Sequence, residues 1–262
     1  MVHNPVVIIG IGEIGGVIAR GCLKLGLPVV PVTRASNPHA LASIVHSPQM
    51  VILAVAEKDL HPSLANLPRP WVQQLVLIQN ELLPADWEQH GLTAPTVLSV
   101  WFEKKPGQDI KVIVPSVVYG PQSPLVQQAL GALKIPTEIL LDEGQLVFEL
   151  VRKNLYILTT NIAGLKVGGN VGQLWRQHEA LARAVANEVI DIQSYLTGYR
   201  LDHETLIQAM LVAFDGDPEH PCMGRSAPVR LARALTSARQ AAVVTPTLDA
   251  ISHDLASRAV VA

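Results

Sequence analysis

The sequence predicts an α/β protein in two parts, an N-terminal Rossmann-type doubly wound sheet domain over residues 1–142 and an all-α domain over residues 143–262. Three observations predict it. The chain opens with a strand, a glycine-rich turn and a helix. Short apolar runs then recur, separated by polar or helical stretches, as far as Asp142. Beyond that point only helical periodicity remains. Strands in one block and helices in the next argue for a sheet domain joined to a helical one.

Val6-Val7-Ile8-Ile9 is a run of β-branched residues, the signature of a parallel strand buried on both faces. Gly10-x-Gly12-x-x-Gly15 follows at once, and a helix continues to Leu25 and stops at Gly26. In a dinucleotide-binding turn the first glycine makes the bend, the second admits the pyrophosphate and the third lets the helix pack closely. The free amides of the helix's first turn face the negative charge. The motif alone is weak, but its place between a strand and a helix is the context it needs. Gly10, Ile11, Gly12, Glu13, Ile14 and Gly15 are therefore the candidate cofactor-binding turn, against the alternative of a glycine-rich turn with no ligand. The second strand, Pro28 to Thr33, ends at Arg34, with Ser36 just beyond. Roughly 20 residues past the glycines an NAD-binding chain offers an acid to the ribose hydroxyls. A guanidinium there instead grips a 2′-phosphate through charge-assisted hydrogen bonds. The expected cofactor is NADP(H), with Arg34 and Ser36 at its ribose end. An ordinary surface arginine is the alternative.

After a short helix at Ala40–Val45, Met50 to Ala56 is the third buried strand. Its carboxyl end, with Ala56 and the loop Glu57-Lys58-Asp59, lies where ligands sit on open parallel sheets. Val72 to Leu77 reads as a fourth strand, and Asn80 emerges at its carboxyl end. Thr96–Val100 and Ile110–Val114 read as two more, joined by a hairpin loop over Glu103–Gln108. A helix at Pro124–Leu133 and a last strand at Thr137–Leu141 complete the domain.

From Glu143, the residues Val147, Val151, Leu155, Leu158, Ile162 and Leu165 recur at steps of 4, 4, 3, 4 and 3, a sustained helical stripe. Lys153, Asn154, Tyr156, Thr160 and Asn161 interrupt it. On a helix Lys153 and Thr160 lie within about 20° of each other, and Asn161 about 80° from Lys153. These groups either line one wall facing the sheet domain, where a lysine can protonate a carbonyl oxygen, or form a solvated face. A glycine-rich break at Val167–Gly172 leads to further helices over 178–196, 203–214, 226–241 and 247–260, with a loop at 215–221.

Apolar residues make up 49% of the chain and charged ones 16%, so a large core is available. A net charge of −2 gives no electrostatic case for nucleic acid or anionic membranes. The longest apolar run is too short to span a bilayer, and the N-terminus shows no secretory leader, so a cytoplasmic protein is expected. Cys22 and Cys222 are isolated and outline no disulfide framework or zinc site. Asp215-x-Asp217-x-Glu219 opens like a calcium loop but has His220 at the sixth place and Ser226 at the twelfth. No metal is expected. Arg225, Arg230 and Arg233 either bind a substrate carboxylate or form a solvated helix face.

Over nearly its whole length the chain resembles the ketopantoate reductases (2-dehydropantoate 2-reductases) and their wider 6-phosphogluconate-dehydrogenase-like relatives. The resemblance rests on the glycine turn with Arg34, on Leu77-Ile78-Gln79-Asn80, on Arg152-Lys153 with Asn161, on Asn170-Val171-Gly172-Gln173-Leu174 and on Val243-Val244-Thr245-Pro246. It implies that Lys153 is the general acid, that Asn80 helps place nicotinamide and substrate, and that Asn161 holds the substrate. The chain also departs from the pattern. Ile157 stands where the family has a second helix asparagine, Ser226 where it has a late acid, Leu231-Ala232 where it has Asn-Gly, and Glu57 where it has a lysine. The function implied is an NADPH-dependent reductase of a small carbonyl compound, a 2-oxo acid more apolar than ketopantoate, with Ile157 and Ser226 at the substrate. The alternatives are a non-catalytic NADP(H)-binding sensor or assembly partner and an imine- or opine-type reductase. The partner expected is a small-molecule substrate, and the apolar helices leave room for a homodimer.

Overall fold

Val6–Ile9 (β1) sits in the interior of a sheet, with Val6, Val7 and Ile8 fully buried, as its unbroken apolar sequence requires. The computed structural model describes residues 4–261. After β1 come α1 (Glu13–Lys24), β2 (Val29–Val32), α2 (Pro38–Ile44) and β3 (Met50–Leu53). A 3-10 turn, Glu57–Asp59, leads to α3 (Leu60–Ala65), a second 3-10 segment (Arg69–Gln74) and β4 (Leu75–Leu77). Then follow α4 (Pro84–Glu88), β5 (Thr96–Ser99), β6 (Phe102–Glu103), β7 (Lys111–Val112), β8 (Ser116–Tyr119), α5 (Ser123–Gly131) and β9 (Thr137–Ile139). Seven strands form one sheet in the order β2-β1-β3-β4-β5-β8-β9, while β6 and β7 pair as a separate hairpin. The first five are parallel, β8 runs antiparallel to β5, and β9 is parallel to β8. The order reverses between β1 and β3, so a crevice opens at their carboxyl ends.

Two strands differ from expectation. Residues 72–74 belong to the 3-10 segment, where Trp71 is buried and its indole N–H donates to Val45 O at 2.8 Å. That anchor holds the chain out of the sheet until Leu75. The apolar run Ile110–Val114 supplies only the two residues of β7, and the sheet strand is β8 immediately after Pro115. Ile113 N donates to Trp101 O at 2.9 Å and Trp101 N to the Ser116 hydroxyl at 2.9 Å, so the chain crosses from hairpin to sheet here. Apolar alternation runs through that crossing without marking it.

The chain divides after Glu149 into two compact units, inside α6 (Glu143–Val167) rather than at Asp142, because the helix begins without a break in the first unit. The second unit is helical. It continues with α7 (Val171–Thr197), α8 (His203–Gly216), α9 (Ala227–Ala241) and α10 (Pro246–Val261). α7 starts ahead of its expected position because Asn170 and Gln173 form a capping box. The Asn170 side chain accepts from Gln173 N at 2.8 Å, and the Gln173 side chain accepts from Asn170 N at 3.2 Å. A break at His178 (φ −137°, ψ 34°) then interrupts α7, and the long part beyond it carries the strong sequence signal.

Residues 217–222 are tied to the α6–α7 turn. Val171 N donates to His220 O, Gly172 N to Pro218 O, and Cys222 N to Gly169 O, all at 2.8–3.0 Å. Glu219 accepts from the Asn170 amide at 2.8 Å, so this carboxylate supports the turn. Both cysteines are free and buried, and burial pushes each thiol up to about 11. Among the described residues no group of three metal-ligating side chains converges, and no helix is long and apolar enough to cross a membrane.

One buried charge holds the last helix. Glu188 on α7, 8% exposed, accepts from Thr247 N at 2.7 Å and Leu248 N at 2.9 Å, two first-turn amides of α10. Those donors have no partner within their own helix. Glu188→Ala strands both, and is expected to cost about 1.5–3 kcal/mol, the range for hydrogen bonds to a charged group. Urea denaturation checks this, and an unchanged midpoint would show that the amides find another acceptor.

Candidate functional site

The glycine turn does three different jobs. Gly10 lies at φ +93°, and a Cβ there would come within 2.5 Å of Ala54 O on the adjoining strand end. A Cβ on Gly15 would run into the carbonyl oxygen of Gly10, so helix and turn approach too closely for any side chain. Gly12 is unlike both. It is the N-cap of α1 in extended backbone (φ −84°, ψ −165°), and a Cβ there would meet nothing within 4 Å. The missing side chain at Gly12 leaves open space over the helix N-terminus, where the amides of Glu13 and Ile14 begin the first turn. That is a cradle for a phosphate, and the turn fits one.

The cradle is one end of a cleft of about 680 Å³ at the carboxyl ends of β1, β2 and β3. Gly10, Ile11, Gly12, Arg34 and Ala56 line it, together with Asp59, Ser63 and Asn66 from the opposite rim. The Arg34 side chain is 93% exposed, and its nearest ionic neighbour is Asp59 at 3.9 Å, itself half in solvent. So exposed a pair holds the guanidinium weakly and leaves its fork available to an anion. Ser36 does not line the cleft. Its hydroxyl accepts from Thr33 N at 3.0 Å and lies 3.2 Å from the Thr33 hydroxyl, which closes the turn that carries Arg34. The Glu13 carboxylate pairs with Lys104 at 3.4 Å.

Asn80 is exposed in the turn after β4 and is not among the residues lining the cleft. Its neighbour Gln79 is buried, donates to Leu53 O at 2.7 Å and accepts from Ile78 N at 3.2 Å. Gln79 thus ties the carboxyl ends of β3 and β4 together and fixes the base of the Asn80 turn. Glu81, at φ +57°, completes that turn in a conformation costly for a residue with a side chain.

In the helical unit, Lys153 is 6% exposed and Asn161 9%, with Asn154, Thr159 and Thr160 also buried. The solvated-face alternative for this side of α6 is excluded. Asn154 donates to the Gln193 side chain at 3.0 Å, a buried cross-helix pair. The Thr160 hydroxyl is spent on its own helix, at 2.8 Å from Tyr156 O. Ile157 is buried between Lys153 and Asn161 on the same side. Ser226 is exposed just ahead of α9, and its carbonyl accepts from Arg230 N at 2.9 Å. The Arg230 guanidinium donates to the Asn161 side-chain oxygen at 3.0 Å. Within this unit, then, Asn161 and the start of α9 with Ser226 come together through Arg230. Nothing local in the sequence marks that link, because its partners are 69 positions apart.

An open, mostly parallel sheet with a glycine turn that leaves room for a phosphate, followed by a helical unit built on one long helix, defines a two-part architecture. Solved ketopantoate reductases have this fold. No protein-family model matches the chain, and no curated protein sequence matches it. The dimeric ketopantoate reductase of Staphylococcus aureus matches 97% of this chain and 98% of its own, at 19% identity and a TM-score of 0.65. The 2-dehydropantoate 2-reductase of Geobacter metallireducens matches 97% and 99%, at 12% identity and a TM-score of 0.68. A D-mandelate dehydrogenase in complex with NADH matches 97% and 98%, at 12% identity and a TM-score of 0.65. The likeness is one of fold.

Proposed function

We propose that the chain is an NADP(H)-dependent reductase of a small carbonyl compound, a 2-oxo acid. The observation that carries the reading is the open cradle at Gly12, with the exposed Arg34 at the far rim of the same cleft. The shared fold of ketopantoate reductases and an NADH-bound dehydrogenase supports it. When bound, the reduced dinucleotide supplies a hydride to the carbonyl carbon. The first-turn amides of α1 would hold its pyrophosphate over Gly12, and Arg34, in the turn that Ser36 closes, would take the 2′-phosphate. Lys153 donates the proton to the carbonyl oxygen and is recharged from water. Asn80 and Asn161 orient the substrate, beside Ile157 and Ser226. Two free thiols suit a cytoplasmic setting, and a homodimer belongs to the same reading.

Ketopantoate itself fits poorly. Its hydroxyl end would meet Ile157 and Ser226 in place of an amide and a carboxylate, and each buried unpaired group costs about 1–3 kcal/mol. The test is NADPH oxidation with a panel of 2-oxo acids, ketopantoate and cyclic imines. The highest kcat/KM is expected for a 2-oxo acid without that hydroxyl. Preference for the imines would replace the substrate class, and NADPH binding without turnover of anything would favour a non-catalytic sensor.

Cofactor choice has its own test. A hydrogen bond to a charged group contributes about 1.5–3 kcal/mol, so NADPH should bind about 10- to 100-fold more tightly than NADH. Arg34→Ala should remove most of that difference. Equal dissociation constants in the unaltered protein, measured by tryptophan fluorescence, would contradict it.

A further inference from the structure

The cleft rim carries a carboxylate that does not do the work its position invites. Asp59 ends the 3-10 turn after β3, where its amide donates to Ala56 O at 2.9 Å, and it is the N-cap of α3. An aspartate at an N-cap usually turns its carboxylate onto the first free amides of the helix. Asp59 makes no such bond. Its carboxylate instead stands 3.9 Å from the Arg34 guanidinium, and both residues line the cleft.

Sheet order explains where the two meet. Arg34 follows β2 and Asp59 follows β3, with β1 between those strands. Neighbouring strands lie about 4.8 Å apart, so the two chain segments leave the sheet about 10 Å from each other. The ion pair therefore crosses the carboxyl end of β1, the strand that feeds the glycine turn. With side chains 93% and 40% exposed, it adds little to the stability of the fold. Its effect falls on what the cleft offers to a ligand. Alone, Arg34 would show a full positive charge at this rim. Beside Asp59 that charge is partly neutralised, and an arriving phosphate competes with a carboxylate for the same fork.

We propose that Asp59 is a specificity-determining residue that masks Arg34, holding the preference for a 2′-phosphorylated dinucleotide below what the guanidinium alone would give. This rests on the NADP(H) reading above and adds the counter-ion that sets the size of that preference. A dinucleotide without the 2′-phosphate leaves the pair intact and gains nothing from its removal.

The experiment measures dissociation constants of NADPH and NADH by tryptophan fluorescence for the unaltered protein, Asp59→Asn, Arg34→Ala and the double variant. Asparagine keeps the shape and suits an N-cap, so the urea midpoint should hold, and Asp59→Ser, a second N-cap former, should behave alike. Asp59→Asn should bind NADPH about 3- to 10-fold more tightly, the scale of one exposed charge acting on a phosphate, with NADH changed by less than about twofold. In Arg34→Ala the same substitution should lose most of that gain. The gain should also shrink between about 0.1 and 1 M salt, as the screening length falls from about 10 to 3 Å. Adenosine 2′,5′-bisphosphate against adenosine 5′-monophosphate isolates the ribose end and should repeat the pattern. NADPH affinity unchanged or lowered in Asp59→Asn, with NADPH still preferred, overturns the masking and leaves the NADP(H) reading standing. A gain that persists in Arg34→Ala also overturns it, because the carboxylate then acts on the phosphate directly. NADH binding that weakens with loss of the carboxylate overturns it in favour of Asp59 as an acceptor for the ribose hydroxyls. Equal constants for the two dinucleotides in every variant, or binding of neither, overturn the NADP(H) reading and the masking together.

Discussion

Lys153→Ala is expected to lower turnover of the preferred 2-oxo acid by about 10²–10⁴-fold, the range for loss of a positioned general acid, with NADPH affinity nearly intact. The lysine stands on α6 at 6% exposure, with polar Asn154 and Thr160 and apolar Ile157 on the same buried stretch. A lysine held out of bulk water in this way is either structural or chemical, and the two roles separate cleanly. A structural lysine would show its loss in the urea midpoint. A proton donor shows it in kcat, with the midpoint less affected, and the loss should shrink for a substrate whose product oxygen needs no proton. Single-turnover kinetics beside fluorescence titration of NADPH measures both. A loss below about threefold, far under the general-acid range, would remove Lys153 from the mechanism.

Gly12→Val should weaken NADPH binding by about 10²-fold or more, equivalent to roughly 2.7 kcal/mol, while the protein without ligand melts as before. The expectation comes from the contrast between neighbouring glycines. At Gly10 and Gly15 an added Cβ meets the backbone, so Gly10→Ala should destabilise the protein itself. At Gly12 it meets nothing, so the new side chain stands where the pyrophosphate would lie. Intact NADPH titration by Gly12→Val would show that the dinucleotide does not cross this turn.

The parts of the fold legible in sequence were those decided locally. Four β-branched residues, three glycines and a helix at fixed offsets are short-range signals, and they put β1, the turn and α1 where the structure has them. The stripe from Val147 to Leu165 likewise marked α6. What escaped depended on distant partners. β8 is one short strand among several apolar runs, and only its pairing with β5 and β9 selects Ser116–Tyr119 over Ile110–Val114. The start of α7 is written in the Asn170–Gln173 capping box, but the break at His178 divides the helix, and only the longer part beyond it carries a sustained helical period. Around the candidate site the same division holds. The Arg34 rim follows from position along the chain, whereas Gln79 bridging to Leu53 and Arg230 reaching Asn161 are tertiary contacts without a sequence period.

The turn from Thr33 to Ser36 is closed by its own hydrogen bonds, and the arginine it carries contributes almost nothing to them. Substitutions at such exposed positions typically change stability by no more than about 0.5 kcal/mol. The charge that Arg34 shows to the cleft is consequently a detachable label, replaceable while the sheet beneath keeps its register. The dinucleotide preference proposed above would then rest on one side chain, exchangeable without first stabilising the scaffold.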